Sequence, residues 1–412
     1  MNTVRLGDIA ELKTGPFGTQ LSAKEYVANG VPVINVKNIG YGNIIADELD
    51  FISQETCNRL SEHILQSGDI VFGRKGSVDR HAYIDEEHAG WFQGSDCIRV
   101  RANQGINSHY LSHYLKMNHI KKMVNNAAVG STMASLNTDI LKGIIVELPD
   151  IKVQDKIEML LSTIDEKIKN NEKINDNLSQ QVTDIFHYWF TQFDFPDFNN
   201  NPYRSSGGKM VWNEKLKGAI PDGWGIGNLY DIADFINGLA CQNHRPKSDE
   251  CFLPVVKIRE MHDGITNDTE RVSASIPLKN IIHNGDILFS WSATLETMFW
   301  YGGDAGLNQH IFKVVPLIDI QKNYVYQQLS SYIVKFVKMA EARKTTMGHI
   351  TTDHLKQSVI LMPPHSIIDA YCELTNPLYK NIERCAIENH RLKNLRDWLL
   401  PILMNGQATI DD

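Results

Sequence analysis

The chain repeats itself. Leu6-Gly7-Asp8-Ile9-Ala10 leads to Gly15, and Leu229-Tyr230-Asp231-Ile232-Ala233 leads to Gly238 after the same interval. Ser67-Gly68-Asp69-Ile70-Val71-Phe72 returns as Asn284-Gly285-Asp286-Ile287-Leu288-Phe289, each time a turn entering a short apolar strand. The longest match starts at Ser131-Thr132-Met133, passes Thr138-Asp139 and Leu141-Lys142, and ends a strand at Pro149. It reappears as Thr345-Thr346-Met347, Thr352-Asp353, Leu355-Lys356 and Pro363, displaced throughout by 214 residues. A duplicated unit fixes the architecture before any single residue is interpreted. Thr138 and Thr352 stand where the caps of short helices are expected, each followed by an acidic residue in the first turn.

Both copies then enter a long helix. In the first, Ile157, Leu161, Ile164, Ile168, Asn171, Asn175, Leu178, Val182, Ile185 and Trp189 fall on alternating four- and three-residue steps, a heptad seam. The same displacement gives Tyr371, Thr375, Leu378, Ile382, Cys385, Asn389, Leu392, Arg396, Leu399 and Leu403. One such stripe is ordinarily a core-facing amphipathic face. Two in the same phase, with Asn175 equivalent to Asn389, predict that the helices pack on each other, the asparagines fixing register at some cost in stability. Pro377 should kink or interrupt the second helix. From Ile157 to Trp189 the first would run roughly 50 Å at 1.5 Å per residue. Modules at opposite ends of an antiparallel pair would then be held a fixed distance apart.

At 412 residues the chain is too long for one core, and 42% hydrophobic against 22% charged residues is the balance of a globular protein. No apolar run is long enough to span a bilayer, the first fifteen residues lack a signal-peptide pattern, and the six cysteines form no CxxC pair. A cytoplasmic protein is expected. The net charge of −8 argues against non-specific coating of nucleic acid, so any DNA surface should be local. Pro196, Asn199 to Pro202 and Ser205-Ser206-Gly207-Gly208 read as a linker. The expected division is a first domain over 1–150, a long helix over 151–195, a linker over 196–222, a second domain over 223–364 and a final long helix over 365–406.

Catalytic motifs are missing. There is no GxxxxGK[ST] phosphate loop and no GxGxxG after a strand, and Asn201-Pro202-Tyr203 is only a look-alike of the motif that amine methyltransferases carry. Asp165-Glu166-Lys167 superficially resembles a nuclease pattern but lies on the heptad helix, where exposed charges are ordinary. His109 and His113 share a helix face without further ligands, which favours surface residues over a metal site. No catalytic residue and no metal ligand is assigned.

The arrangement of apolar GDI strand, Thr-Met turn, strand ending in proline and long helix, all given twice, resembles the specificity subunits of type I restriction–modification systems. The likeness covers essentially the whole chain. It implies an α/β (α+β) fold: two similar target recognition domains separated by two long antiparallel coiled-coil helices in a pseudo-two-fold internal repeat. Each domain would read one half of a split sequence in double-stranded DNA. The resemblance also implies partners, namely two adenine methyltransferase subunits and ATP-driven restriction subunits. S-adenosylmethionine, ATP and Mg would belong to those partners, with no cofactor in this chain. The competing reading is a coiled-coil interaction protein without a DNA role.

Base edges and phosphates are met by donors and acceptors on loops. The leading candidate is Gly73-Arg74-Lys75-Gly76-Ser77-Val78-Asp79-Arg80, where Arg74, Lys75, Ser77 and Arg80 supply the chemistry and glycines allow close approach. Its counterpart, with Trp291, Ser292 and Thr294, has no basic residue, so its reading chemistry should differ; Trp291 could equally be a core aromatic. Lys37 and Asn38, and Lys257 and Arg259, follow apolar runs at matching places. Gln309 and His310, opposite Gln93 to Asp96 in the first half, could read adenine or merely cap turns. Ser131 and Thr132, with Lys344 and Thr345 in the second copy, are candidates for phosphate contact.

Overall fold

The computed structural model describes residues 2–18, 20–128, 135–266, 268–292, 294–317, 320–342 and 350–410, the side chains of 339–342 excepted. Two compact units form: Met1–Lys167 with Leu392–Asp412, and Ile168–Arg391. The same three sheets recur in both. In the first unit Ala10–Thr14, Cys97–Ala102, Ile70–Gly73, His81–Tyr83 and Tyr41–Gly42 form the main sheet in that order. In the second, Ala233–Asn237, Ile311–Pro316, Ile287–Ser290 and Glu296–Phe299 follow the same order. A second sheet pairs Val31–Ile34 in parallel with Phe92–Gln93, as Phe252–Val256 pairs with Ala305–Leu307. A small ribbon joins Asn2–Arg5 to Ile145–Leu148, and Gly225–Gly227 to Ile360–Met362.

The repeated GDI triplet has a local physical cause. Gly68 and Gly285 adopt φ of 91° and 84°, values that suit a residue without a Cβ. Asp69 then accepts from the Gln66 amide at 2.8 Å and pairs with Arg101, just as Asp286 accepts from the His283 amide at 2.8 Å and pairs with Lys313. The following strand, buried along its whole length in both units, starts from a turn whose polar groups are already satisfied. Gly15 and Gly238 are equally explained: a Cβ there would lie 2.0 Å from Gly94 O and 2.1 Å from Asn308 O. The short helices begin one residue earlier than expected, capped from Asn137 and Thr351 rather than Thr138 and Thr352.

The long helices run over Ile151–Phe190 and His365–Met404. Within each unit their segments pack antiparallel. In the second unit Asn171 and Asn389 meet, while Phe186, Trp189 and Phe190 surround Tyr371. In the first, Asp165 pairs with Arg396, and Ile157 and Leu161 share a core with Leu403 and Met404. Seam residues are buried or half-buried: Ile164, Ile168 and Asn389 are buried, and Asn175, Leu178, Ile185, Leu378, Ile382, Leu392 and Leu399 are half-buried. Pro377 does not interrupt the second helix, because its ring lies on the exposed side where water can satisfy the freed carbonyl. The 196–222 stretch is not featureless, since Met210–Asn213 and Gly218–Pro221 pair as a hairpin. No helix among the described residues is long and apolar enough to cross a membrane.

The two repeat-equivalent asparagines do different work. Asn389 donates to Ile168 O at 3.2 Å and accepts from Asn171 at 2.9 Å. Asn175 has a buried Oδ1 that accepts no hydrogen bond among the described residues, and the register puts Cys385 level with it. Asn389→Leu should therefore cost the second unit about 1 kcal/mol, since it removes the hydrogen bonds to Ile168 O and from Asn171 while the Asn171 amide keeps Glu388 Oε2 at 2.8 Å. Asn175→Leu should be neutral or stabilise by up to about 1 kcal/mol. Urea midpoints of the two variants on opposite sides of wild type would confirm this; equal losses would contradict it.

Candidate nucleic-acid interface

Three loops converge in each unit. In the first, the Arg74 amide donates to Asp96 O at 2.7 Å and Arg74 O accepts from the Leu136 amide at 2.8 Å. In the second, the Trp291 amide donates to His310 O at 3.3 Å and Trp291 O accepts from the Ile350 amide at 3.1 Å. The loop after the GDI strand is thus held between the 93–96 or 308–310 segment and the residue that follows each Thr-Met turn. Ser131, Thr132, Lys344 and Thr345 lie outside the described residues, although Ser135 bridges to Lys75 and marks where the first of those segments ends.

The candidates separate on inspection. Lys75 and Ser77 are exposed, and Lys75 pairs with Asp96 at 2.9 Å. Arg74 is half-buried and has no side-chain hydrogen bond or ion pair among the described residues. Arg80 turns away: its guanidinium lies over the Tyr41 ring at 4.6 Å, where Lys121 also sits at 4.6 Å, and its Nε is buried. That is an anchoring role. Asn38 corrects the sequence reading outright. It is fully buried and donates to Ile45 O and Asp47 O, so it closes a turn and cannot reach a base. Gln93 is likewise buried, bound to Lys13 O and Cys97 O. Lys37 pairs with Asp50, Lys257 with Glu270 and Arg259 with Glu260, all three bases remaining exposed.

In the second unit Trp291 is half-buried, its ring 5.9 Å from Phe312 and 5.7 Å from His310. Its indole Nε1 donates to Asn237 Oδ1 at 3.4 Å, a contact the sequence did not point to. His310 and Thr294 are exposed, Gln309 half-buried and Ser292 buried.

A polar cluster missed in the sequence lies under the first unit's sheet. His113 is 1% exposed rather than on the surface, stacked on His109, which in turn stacks on Tyr83 and meets Glu158 at 3.0 Å. Lys116 and Arg396 share Asp165, so that residue is no ordinary exposed helix charge. Burial pushes the wholly buried His81 down to about 3, with Lys116 and Lys121 adding repulsion. Burial, then Lys116 and His109, hold His113 well below its ordinary value. Folded, these rings stay neutral, while in the unfolded chain they titrate near 6.5. As pH falls through 6.5 the unfolded state gains protons that the folded unit refuses, so stability present above that pH is lost. For His81 alone the loss between pH 7 and pH 5 should be about 2 kcal/mol. His81→Gln should flatten the pH dependence of amide-exchange protection in Cys97–Ala102; an unchanged slope would count against it.

Residues 1–180 and 221–374 match the sequence model described as the type I restriction modification DNA specificity domain. The chain belongs to this family. Curated relatives span it from end to end. It is 24% identical to the type I restriction enzyme MjaIX specificity subunit of Methanocaldococcus jannaschii, over 99% of this chain and 93% of the relative. It is 22% identical to the HindI specificity subunit of Haemophilus influenzae, over 98% and 100%. The fold is similar to that of the type I restriction-modification S subunit from M. genitalium, with a TM-score of 0.54 and 14% identity over 98% of this chain and 96% of that one. Family membership makes the chain a DNA sequence-specificity subunit, and the family model matches it twice, once in each half of the repeat.

Proposed function

We propose that this specificity subunit reads a bipartite duplex target, each unit contacting one half through its three converging loops, and performs no catalysis itself. Support comes from one observation above all: the loop after the GDI strand is clasped by the same two backbone hydrogen bonds in both units. Two readers built on one frame, with different side chains at the tips, suit a target in two unlike halves. The partners are methyltransferase subunits, two copies by analogy with the duplicated helices, and restriction subunits that bring ATP hydrolysis. S-adenosylmethionine, ATP and Mg are theirs, and the complex works in the cytoplasm, where the DNA is.

The chain reconstituted with its methyltransferase should enrich, from random duplexes, two short motifs separated by a spacer of fixed length. One continuous motif would refute the reading. Arg74→Ala should lower affinity for the preferred duplex by about 10- to 150-fold, the value of a bidentate base contact. Gel shifts at constant salt measure it, and a loss spread evenly over all sequences would instead make Arg74 a phosphate contact.

A further inference from the structure

The first unit's main sheet has a fifth strand, Tyr41–Gly42, with no counterpart in the second unit's main sheet among the described residues. It pairs in parallel with His81–Tyr83, the strand that follows the reading loop at Arg80. A tight turn fixes it. Asn43 Oδ1 accepts from the Tyr41 amide at 3.1 Å, and Gly42, at φ of 92°, lies against Lys116, whose Cε would stand 2.0 Å from a Cβ there. The Tyr41 ring is thereby held at the sheet edge with half of its surface exposed.

Two cations meet on that ring. The Arg80 guanidinium and the Lys121 ammonium each lie 4.6 Å from its centre, and neither forms an ion pair among the described residues. An aromatic face attracts one cation, but two brought together at half-buried positions repel each other, and the ring offsets only part of that cost. Burial holds the Lys121 ammonium below its usual range; Asp79 and Asp397 oppose the shift, while Arg396 and Arg80 add to it. Arg80 Nε is buried with no acceptor among the described residues. Unpaired donors and crowded positive charge at the foot of a DNA-reading loop suit an anion, and the anion that a duplex presents beside its bases is phosphate. We propose that Arg80 and Lys121, set on Tyr41, bind one backbone phosphate beside the half-site read by the first unit. This anchor rests on the two-reader function and adds to it a contact that holds the first reader in place.

The test uses the full chain reconstituted with its methyltransferase, on the duplex that this complex selects. Lys121→Gln should reduce the slope of log affinity against log salt by about 0.9, the value of one phosphate, and weaken binding roughly three- to tenfold with both motifs unchanged. A neutral methylphosphonate, moved along the backbone of the first unit's half, should at one position weaken the wild type by a similar factor and the variant by less than about twofold. Should the variant misfold, lysine acylation decides on the wild-type chain: the duplex should slow modification of Lys121, read by mass spectrometry, and inorganic phosphate at the same concentration should not. Equal protection by inorganic phosphate would make this a free-anion site and overturn the assignment to DNA. Loss of methyltransferase assembly with an unchanged salt slope would assign the patch to an acidic protein surface instead. If the split target persists, the slope is unchanged and no methylphosphonate separates wild type from variant, the anchor is wrong while the two-reader function stands. A wild-type complex selecting no split target removes both.

Discussion

Tyr371→Ala is expected to destabilise the second unit by about 3–5 kcal/mol, the range for emptying a large aromatic site in a core. Tyr371 is fully buried, and its ring centroid lies 5.9 Å from those of Phe186 and Trp189 and 5.2 Å from that of Phe190. All three partners stand on the first long helix, so the cavity would open between the two helices where no small side chain can collapse into it. Its neighbours Tyr324 and Ile368 belong to the same core, which ties the helix pair to the reader's own packing. Urea denaturation followed by tryptophan fluorescence should show the midpoint fall. A shift below about 1 kcal/mol would mean that the helices do not pack as described.

Asp165→Ala should have the second largest effect, about 2–3 kcal/mol on the first unit. Its carboxylate faces Lys116 at 3.5 Å and Arg396 at 2.9 Å, and the lysine side chain is only 16% exposed. Burial lowers the Lys116 ammonium from its usual value, a tendency Asp165 opposes. Without the carboxylate two cations face each other in a poorly hydrated place, and removing one partner of such a set costs more than the set contributes. The value is set below that for a fully buried pair because Asp165 and Arg396 are each more than a quarter exposed. A double variant, Asp165→Leu with Lys116→Met, should recover much of the loss, since Arg396 retains Asp397. Failure of that recovery would assign the effect to packing rather than charge.

Much of the architecture is written locally. A glycine at positive φ followed by an aspartate that closes its own turn is chemistry between neighbours, so the GDI strands show in both halves of the sequence. Heptad spacing is also local, and it located both long helices and their inward faces. Repetition also marks where a frame is kept and its tip is varied, as at Arg74 and Trp291, which sit in the same backbone clasp in both units. Asn38, by contrast, has the composition of a reader and the position of a turn closure, a distinction made by Ile45 and Asp47 folding over it.

Repetition alone made Asn175 and Asn389 equals, while the absence of further ligands and the place on a heptad helix made His113 and Asp165 read as ordinary surface groups. Antiparallel packing overturned the readings of the asparagines and of Asp165, and packing within the first unit buried His113. It sets Asn389 against Asn171, which shares no repeat relationship with it, and it brings Arg396 to Asp165 across 231 positions of chain. Spacing within a helix determines which face is buried; what that face meets depends on the direction of a distant segment, because the free energy of a buried polar group is decided by its partner.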